Sequence, residues 1–391
     1  MKLSIGIVGL PNVGKSTLFN ALLKKQVADV ANYPFCTIEP NIGIVEVPDS
    51  RLPILAKIVK TEKIIPAVVE FYDIAGLVKG ASTGEGLGNK FLANIREVAT
   101  IAHVVRLFED SAVSHVTNQV NPSNDIQIIE SELILADLET LKKAQSLKLK
   151  TQNQNLKPKS DELFKITVDK LYQQLNNGIP GRSVSLSDKE KGAVKHLNLL
   201  TMKPQIFVFN VSEQQLVNKQ KTEVLICQSL SEVSQELVNT NSTNLTNFNY
   251  LFLNAKLEND VLSLPENEQK EYLRQYHLEE TGLNRLIKKA YETLGLISFL
   301  TAPASAEAPA RQGPNYEVRA WTITKGTLAP QAAGVIHTDF EKHFIKADVI
   351  PYPEFVAYGG WLKAREMGKV ATVGKDYEMK DGDVVEFKVG I

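Results

Sequence analysis

Residues 9 to 17 read Gly9-Leu-Pro-Asn-Val-Gly-Lys-Ser-Thr17, and no other stretch limits the possible fold so tightly. The run follows a short apolar segment, Leu3 to Val8, and precedes a helix-like stretch, Thr17 to Lys24. Strand, glycine loop and helix in that order are the context of a phosphate-binding P-loop. Gly9 and Gly14 let the backbone curl so that successive N–H groups, those of Asn12, Val13, Gly14 and Thr17 among them, point inward at phosphate oxygens. Lys15 supplies a point charge for the β- and γ-phosphates, and the Ser16 hydroxyl suits Mg²⁺. The helix behind the loop adds its positive end. The chain is therefore expected to bind a nucleoside triphosphate.

At 391 residues the sequence exceeds one ordinary core, so two or three domains are expected. The net charge of −1 gives no global signal for a polyanion, and any nucleic-acid contact must come from a local patch. Two cysteines, Cys36 and Cys227, stand far apart without metal-ligand spacing. That excludes a disulfide framework or a zinc site and suits a reducing cytoplasm. No run approaches the roughly 20 apolar residues of a spanning helix, so no membrane span is expected; the chain is also expected to be a monomer.

Strand-like segments at Ile42 to Val47, Ala67 to Tyr72, His103 to Phe108, Gln205 to Asn210 and Tyr250 to Leu253 alternate with helical ones. That rhythm predicts an α/β fold with a parallel sheet covered on both faces. From Asp125 the spacing of Ile129, Leu133, Leu135, Leu138 and Leu141 becomes helical, and it resumes at Leu163, Ile166, Val168 and Leu171. A polar stretch, Lys148 to Lys159, separates the two, which predicts an inserted antiparallel helical hairpin. Beyond the Ala/Pro-rich connection at Ala302 to Pro314, short strands and turns surround one helical piece at Asp339 to Lys346. The expected domains are 1–124 with 201–301 for the nucleotide, 125–200 for the hairpin, and 302–391 as an α+β module.

Further motifs point to a G-domain rather than a generic P-loop enzyme. Asp73-Ile-Ala-Gly76 sits at a strand end, where Asp73 would hold Mg²⁺ through water and the Gly76 amide would meet the γ-phosphate. Thr37, in the loop between, carries a hydroxyl suited to complete the Mg²⁺ shell. Cys36 adjoins it and is read as inert. Where GTPases carry Asn-Lys-x-Asp, this chain has Asn210-Val211-Ser212-Glu213. A carboxylate placed for guanine N1–H and N2 would face the N1 lone pair of adenine, at a cost of about 1–3 kcal/mol. For ATP, Glu213 must turn away and Asn210 pairs with N6 and N7, while the amides of Asn254-Ala255-Lys256 complete the pocket.

These motifs, together with Phe35 to Asn41 and His103-Val-Val-Arg-Leu-Phe-Glu-Asp110, give a sequence that resembles the YchF family. These are Obg-like ATPases within the translation-factor branch of P-loop GTPases. The resemblance covers nearly the whole chain. It departs most in the Lys/Gln/Asn-rich hairpin from about Lys142 to Gly181, and at Asn254, where the family carries a small Ser or Cys. It implies a P-loop nucleotide-binding domain, an inserted coil and a C-terminal β-grasp (TGS) domain, with contact to rRNA and the ribosome (50S or 70S) through the last two. The TGS match runs from Arg319-Ala-Trp321 through Gln331 to Gly334, His337 to Glu341 and Gly374 to Tyr377, ending at Asp381-Gly-Asp383.

Leu77 occupies the position where Ras-like enzymes place the glutamine that orients water. By resemblance His115 is the catalytic candidate beside Lys15, and Asn12 marks K⁺-stimulated relatives. The sequence thus reads as a slow Mg²⁺-dependent ATPase that acts as a ribosome-associated switch. An Obg-type GTPase and a nucleotide-gated binder with negligible turnover stay open as alternatives.

Overall fold

The computed structural model describes residues 4–29, 41–74, 87–110, 119–150, 158–238, 248–303 and 317–390. The chain divides into two compact units, Met1–Lys24 with Ile38–Gly43 and Glu70–Leu286, and Lys25–Thr37 with Ile44–Val69 and Ile287–Ile391.

The chain begins with β1 (Ser4–Val8), α1 (Lys15–Asp29), β2 (Ile42–Glu46), α2 (Arg51–Val59), β3 (Ile64–Ile65) and β4 (Val68–Asp73). It continues through α3 (Leu87–Glu97), β5 (Thr100–Arg106), α4 (Pro122–Lys150), α5 (Pro158–Asn176) and α6 (Asp188–Val194). Next come β6 (Gln205–Asn210), α7 (Glu213–Val217), α8 (Lys219–Val238), β7 (Tyr250–Leu253), α9 (Ala255–Val261), α10 (Glu266–Gln275) and α11 (Gly282–Thr293). One six-stranded sheet runs in the order β2-β4-β1-β5-β6-β7. The pairs β4–β1, β1–β5, β5–β6 and β6–β7 are parallel. Every residue of β1, β5 and β6 is buried, as a sheet covered on both faces demands, whereas β2 alternates. The loops that bear function all leave the carboxyl ends of these parallel strands, where open α/β sheets bind ligands.

Proline opens both long helices, and the Asn121 side chain accepts from the Asn124 amide at 3.1 Å to cap the first of them. α4 and α5 pack on one another. Their shared core joins Ile134, Leu141 and Ala144 to Phe164, Val168 and Leu171, and takes in Leu186, Val194 and Leu199 further on. Asp137 ties α4 down: its buried carboxylate accepts from the amides of Leu200 and Thr201, each at 2.8 Å, and from the Thr201 hydroxyl at 2.7 Å.

The second unit carries β8 (Leu296–Thr301), β9 (Val318–Thr324), α12 (Ala329–Ile336), α13 (Thr338–Lys342) and β10 (Phe344–Pro351). After them come α14 (Tyr352–Tyr358), α15 (Trp361–Glu366), β11 (Ala371–Val373) and β12 (Asp383–Val389). Its mixed sheet is ordered β11-β10-β12-β8-β9-β3. α12 buries Ala329, Ala332 and Ala333, small residues at helical spacing that bring it close to the sheet. α2 packs on α14. Arg51, in α2, grips both oxygens of Asp49 and reaches Asp381 at 2.8 Å, while the other oxygen of Asp381 accepts from the Ser298 amide at 2.9 Å.

Two expectations change here. The helix expected at Asp339 to Lys346 stops at Lys342, and Phe344 onward is strand, because Phe344, Ala347, Val349 and Ile350 turn into the core. The boundary expected at 301/302 also moves. β8 pairs with β9 and β12, and β3 pairs with β9, so β8 and β3 belong to the C-terminal sheet, and Ile44–Val69 and Ile287–Ile391 fall in the same unit.

Candidate nucleotide site

The P-loop leaves β1 and enters α1 with conformations that few residues tolerate. Gly14 has φ +100°, and a Cβ there would lie 2.2 Å from the Asn210 amide nitrogen. Asn12 sits at φ +62°, a left-handed position that asparagine accepts better than most side chains. Val13 is fully buried, and Ser16 and Thr17 line the cleft beside Lys15.

Lys15 is buried and donates to the Leu10 carbonyl at 2.6 Å. Burial pulls its pKa down to about 8, with Asp73 opposing the shift. At the end of β4, burial pushes the Asp73 carboxyl up and Lys15 holds it back. The two charges thus share one desolvated corner. The donors available there, the Asp73 carboxylate and the Ser16 hydroxyl, are hard oxygens, the set that suits Mg²⁺.

On the base side, β6 delivers Asn210 and β7 delivers Asn254 to neighbouring loops. Asn210 is nearly fully buried. Its amide donates to the Val13 carbonyl and its oxygen accepts from the Ala255 amide, both at 3.0 Å. Its side chain thereby fastens the P-loop to the second base-side loop, with one amide N–H and one oxygen lone pair left over. Val211 is fully buried where GTPases carry lysine. Ser212 caps α7 in a reciprocal box with Gln215, which also reaches the Leu107 carbonyl at 3.1 Å. That cap places Glu213 in the first helical turn, exposed, where it accepts from the Tyr276 hydroxyl at 3.2 Å. Asn254 caps α9, and Ala255 is buried beside it.

Lys15, Ser16, Asn210, Glu213, Asn254 and Ala255 line one cleft of about 1400 Å³, which runs from the P-loop past Leu107 to Asp110 and along α8. Thr37, Gly76 and His115 lie outside the described residues, as do Cys36 and Leu77.

Sequence reading missed three contributors. Arg106 is buried at the end of β5, donates to the carbonyls of Phe108 at 3.0 Å and Asp110 at 3.2 Å, and stacks over the Phe108 ring. It shapes the chain just before the segment that holds His115, and a charge at the end of an apolar strand was its signal. Asn259 donates to the Thr17 carbonyl at 2.8 Å, joining α9 to α1. Tyr276 is the third, 63 positions from its partner Glu213.

A parallel sheet, a glycine loop into α1, Asp73 beside the P-loop lysine and Asn210 across from it define a P-loop nucleotide-binding protein of the G-domain class. Residues 4–138 match the family model MMR_HSR1, described as 50S ribosome-binding GTPase. Residues 312–390 match YchF-GTPase_C, described as Protein of unknown function (DUF933). The ribosome-binding ATPase YchF of Bacillus subtilis (strain 168) is 43% identical and covers 100% of both chains. Its namesake from Escherichia coli O157:H7 is 45% identical over 99% of each. The solved Schizosaccharomyces pombe YchF GTPase superposes with a TM-score of 0.83 at 35% identity, covering 99% of this chain and 97% of that one. The chain belongs to the YchF family.

Proposed function

We infer that this protein is an ATPase that hydrolyses ATP to ADP and phosphate and works as a ribosome-associated switch. The observation that carries the choice of base is Glu213. The carboxylate at the guanine-reading position is exposed and bonded to Tyr276, and the adjoining pocket residue is the apolar, buried Val211. A site built in this way gives guanine N1–H and N2 no partner, which disfavours it by the cost of unpaired polar groups. The names of the relatives divide on this point, ATPase for the bacterial proteins and GTPase for the yeast one. Competition of ATP and GTP for one fluorescent nucleotide tests the reading, and a clear preference for GTP overturns it.

Ser16 and Asp73, with Thr37, would hold Mg²⁺, which supplies charge neutralisation at the β- and γ-oxygens when bound. Lys15 anchors the same phosphates from its buried position. His115 is the proposed group that positions the attacking water, and Asn12 the proposed contact for K⁺. Single-turnover hydrolysis by His115→Ala tests the first, and an unchanged rate removes the role. Equal turnover in Na⁺ and K⁺ buffers removes the second.

The bacterial relatives are named as ribosome-binding. On that likeness, the helical insertion and the C-terminal unit, read as a TGS domain, contact rRNA of the 50S or 70S particle. Exposed Lys142 and Lys143 on α4 offer phosphate contacts that weaken with salt. Failure to co-sediment with ribosomes at low salt in every nucleotide state overturns this part. No helix among the described residues is long and apolar enough to cross a membrane; a cytoplasmic location is proposed from the likeness to ribosome-binding relatives, together with a monomeric state.

A further inference from the structure

β5 and β6 end side by side, with Arg106 opposite Asn210. The chain then runs from Leu107 to Asp110 along the nucleotide cleft, which all four residues line. Side chains hold its carbonyls in turn. The Leu107 carbonyl accepts from Gln215 Nε2 at 3.1 Å, that of Phe108 from Arg106 Nε at 3.0 Å and that of Asp110 from Arg106 Nη2 at 3.2 Å. The Leu107 N–H donates to the Asn210 carbonyl at 2.9 Å. The Arg106 guanidinium also lies 4.4 Å from the centre of the half-buried Phe108 ring.

The residue types fit this task closely. A capping box with Ser212 needs an acceptor at position 215, and glutamate would serve as well as glutamine. Only the amide has an N–H to spare once its oxygen has taken the Ser212 N–H at 2.8 Å, and that N–H goes to Leu107. Arg106 is 1% exposed, and a buried guanidinium keeps its charge and needs several acceptors in one plane. Two of them are carbonyls of the cleft wall itself. These bonds are internal to the protein, so a nucleotide meets a wall whose order it does not have to supply. The bonds from Asn210 and Gln215 tie the wall to the base-side loop.

We propose that Arg106 and Gln215 are positioning residues for the base and ribose of the nucleotide, holding Leu107 to Asp110 as an ordered wall of the cleft. This rests on the nucleotide-site reading above. The competing account is that both serve the fold alone, Arg106 by filling the end of the sheet and Gln215 by capping α7. Substitution separates the two. Gln215→Glu keeps the cap and removes the bond to Leu107, and Arg106→Lys keeps the charge and removes the planar fork.

The experiment measures dissociation constants for ATP and for inorganic tripolyphosphate, with Mg²⁺ present, by competition with a fluorescent nucleotide, alongside thermal melting. Tripolyphosphate has no base or ribose, and the charge added in Gln215→Glu repels both ligands, so the ratio of the two affinities is the readout. In Gln215→Glu the preference for ATP over tripolyphosphate is expected to fall about three- to tenfold, the range of one lost hydrogen bond, with melting within about 2 °C of wild type. Arg106→Lys is expected to lower the same ratio further. An unchanged ratio in Gln215→Glu overturns the proposal, whether both affinities hold or both fall together. That variant keeps the cap and decides the matter even where Arg106→Lys does not fold. A wild type that preferred GTP would sink the ATP reading alone, and the same ratio taken with GTP would still decide this one.

Discussion

Replacing Asn210 by alanine separates two accounts of the most buried polar side chain on the base side. The structure gives that side chain two jobs, one bond to the Val13 carbonyl and one from the Ala255 amide, each 3.0 Å long. Val13 is fully buried and Ala255 is 2% exposed, so truncation strands a carbonyl and an amide away from water. A stranded buried group costs about 1–3 kcal/mol, which puts Asn210→Ala at about 2–5 kcal/mol. At about 2–4 °C per kcal/mol for a unit of 150–250 residues, melting should fall by roughly 5–15 °C without nucleotide. Asn210→Asp keeps the acceptor for Ala255 but sets a charged oxygen against the Val13 carbonyl, so it should lose the P-loop bond alone. The assay is thermal unfolding with and without ATP, beside a titration of ATP affinity. If Asn210 instead paired with the base, alanine would weaken ATP binding and leave nucleotide-free melting within about 2 °C of wild type. That outcome would refute the structural role given to Asn210.

Three further outcomes follow from the same geometry. With the Lys15 pKa near 8 and phosphate favouring its charged form, ATP binding at pH 8 should take up about half a proton, seen by calorimetry in buffers of different ionisation enthalpy and absent in Lys15→Arg. Without nucleotide, the unfolded chain holds that proton between pH 8 and 10.5 while the folded one releases it, so this share of stability grows as pH rises through the window. Burial, helped by Arg182 and Lys15, pulls the His103 pKa down to about 3, and the neutral ring meets the Gln205 amide at 3.1 Å. Only the unfolded chain takes that proton as pH falls below 6.5, so stability should drop by up to about 1.4 kcal/mol per pH unit, and His103→Phe should flatten that limb in denaturant titrations. Tyr276→Phe removes the bond that holds Glu213 outward and should raise GTP affinity by a few-fold, within the ~1 kcal/mol of an exposed hydrogen bond, with ATP affinity unchanged. Unaltered GTP binding would show that Glu213 stays outward without its tyrosine.

What the sequence made legible was what is local in it. The P-loop, the strand ending at Asp73 and the strand ending at Asn210 each carry their signal within a few neighbouring residues, so motif and observed element coincide. The partner of Glu213, Tyr276, is remote and leaves no mark on the motif. Asn210 stood in the right place, but its bonds to Val13 and Ala255 were not foreseen. A side-chain amide reads the same whether it faces a base or a backbone, and only the approach of Val13 and Ala255 decides. Short helices such as α2, α12 and α14 went unread because fewer than about three turns give periodicity little to work on. Residues 296–301 were assigned to the nucleotide domain because sheet membership is settled by distant strands, here β9 and β12.

The course of residues 44–69 bears on how this protein can be cut and recombined. Between the positions expected to meet Mg²⁺, Thr37 and Asp73, the chain contributes α2 and β3 to the unit otherwise formed by residues 287 onward. A shortened chain ending at residue 303 would therefore deprive β3 of β9, α2 of α14 and Arg51 of Asp381. A C-terminal fragment starting at 287 would lack the same partners from the other side. The second unit is thus no detachable cassette, and grafting it onto another host would require two splice points rather than one.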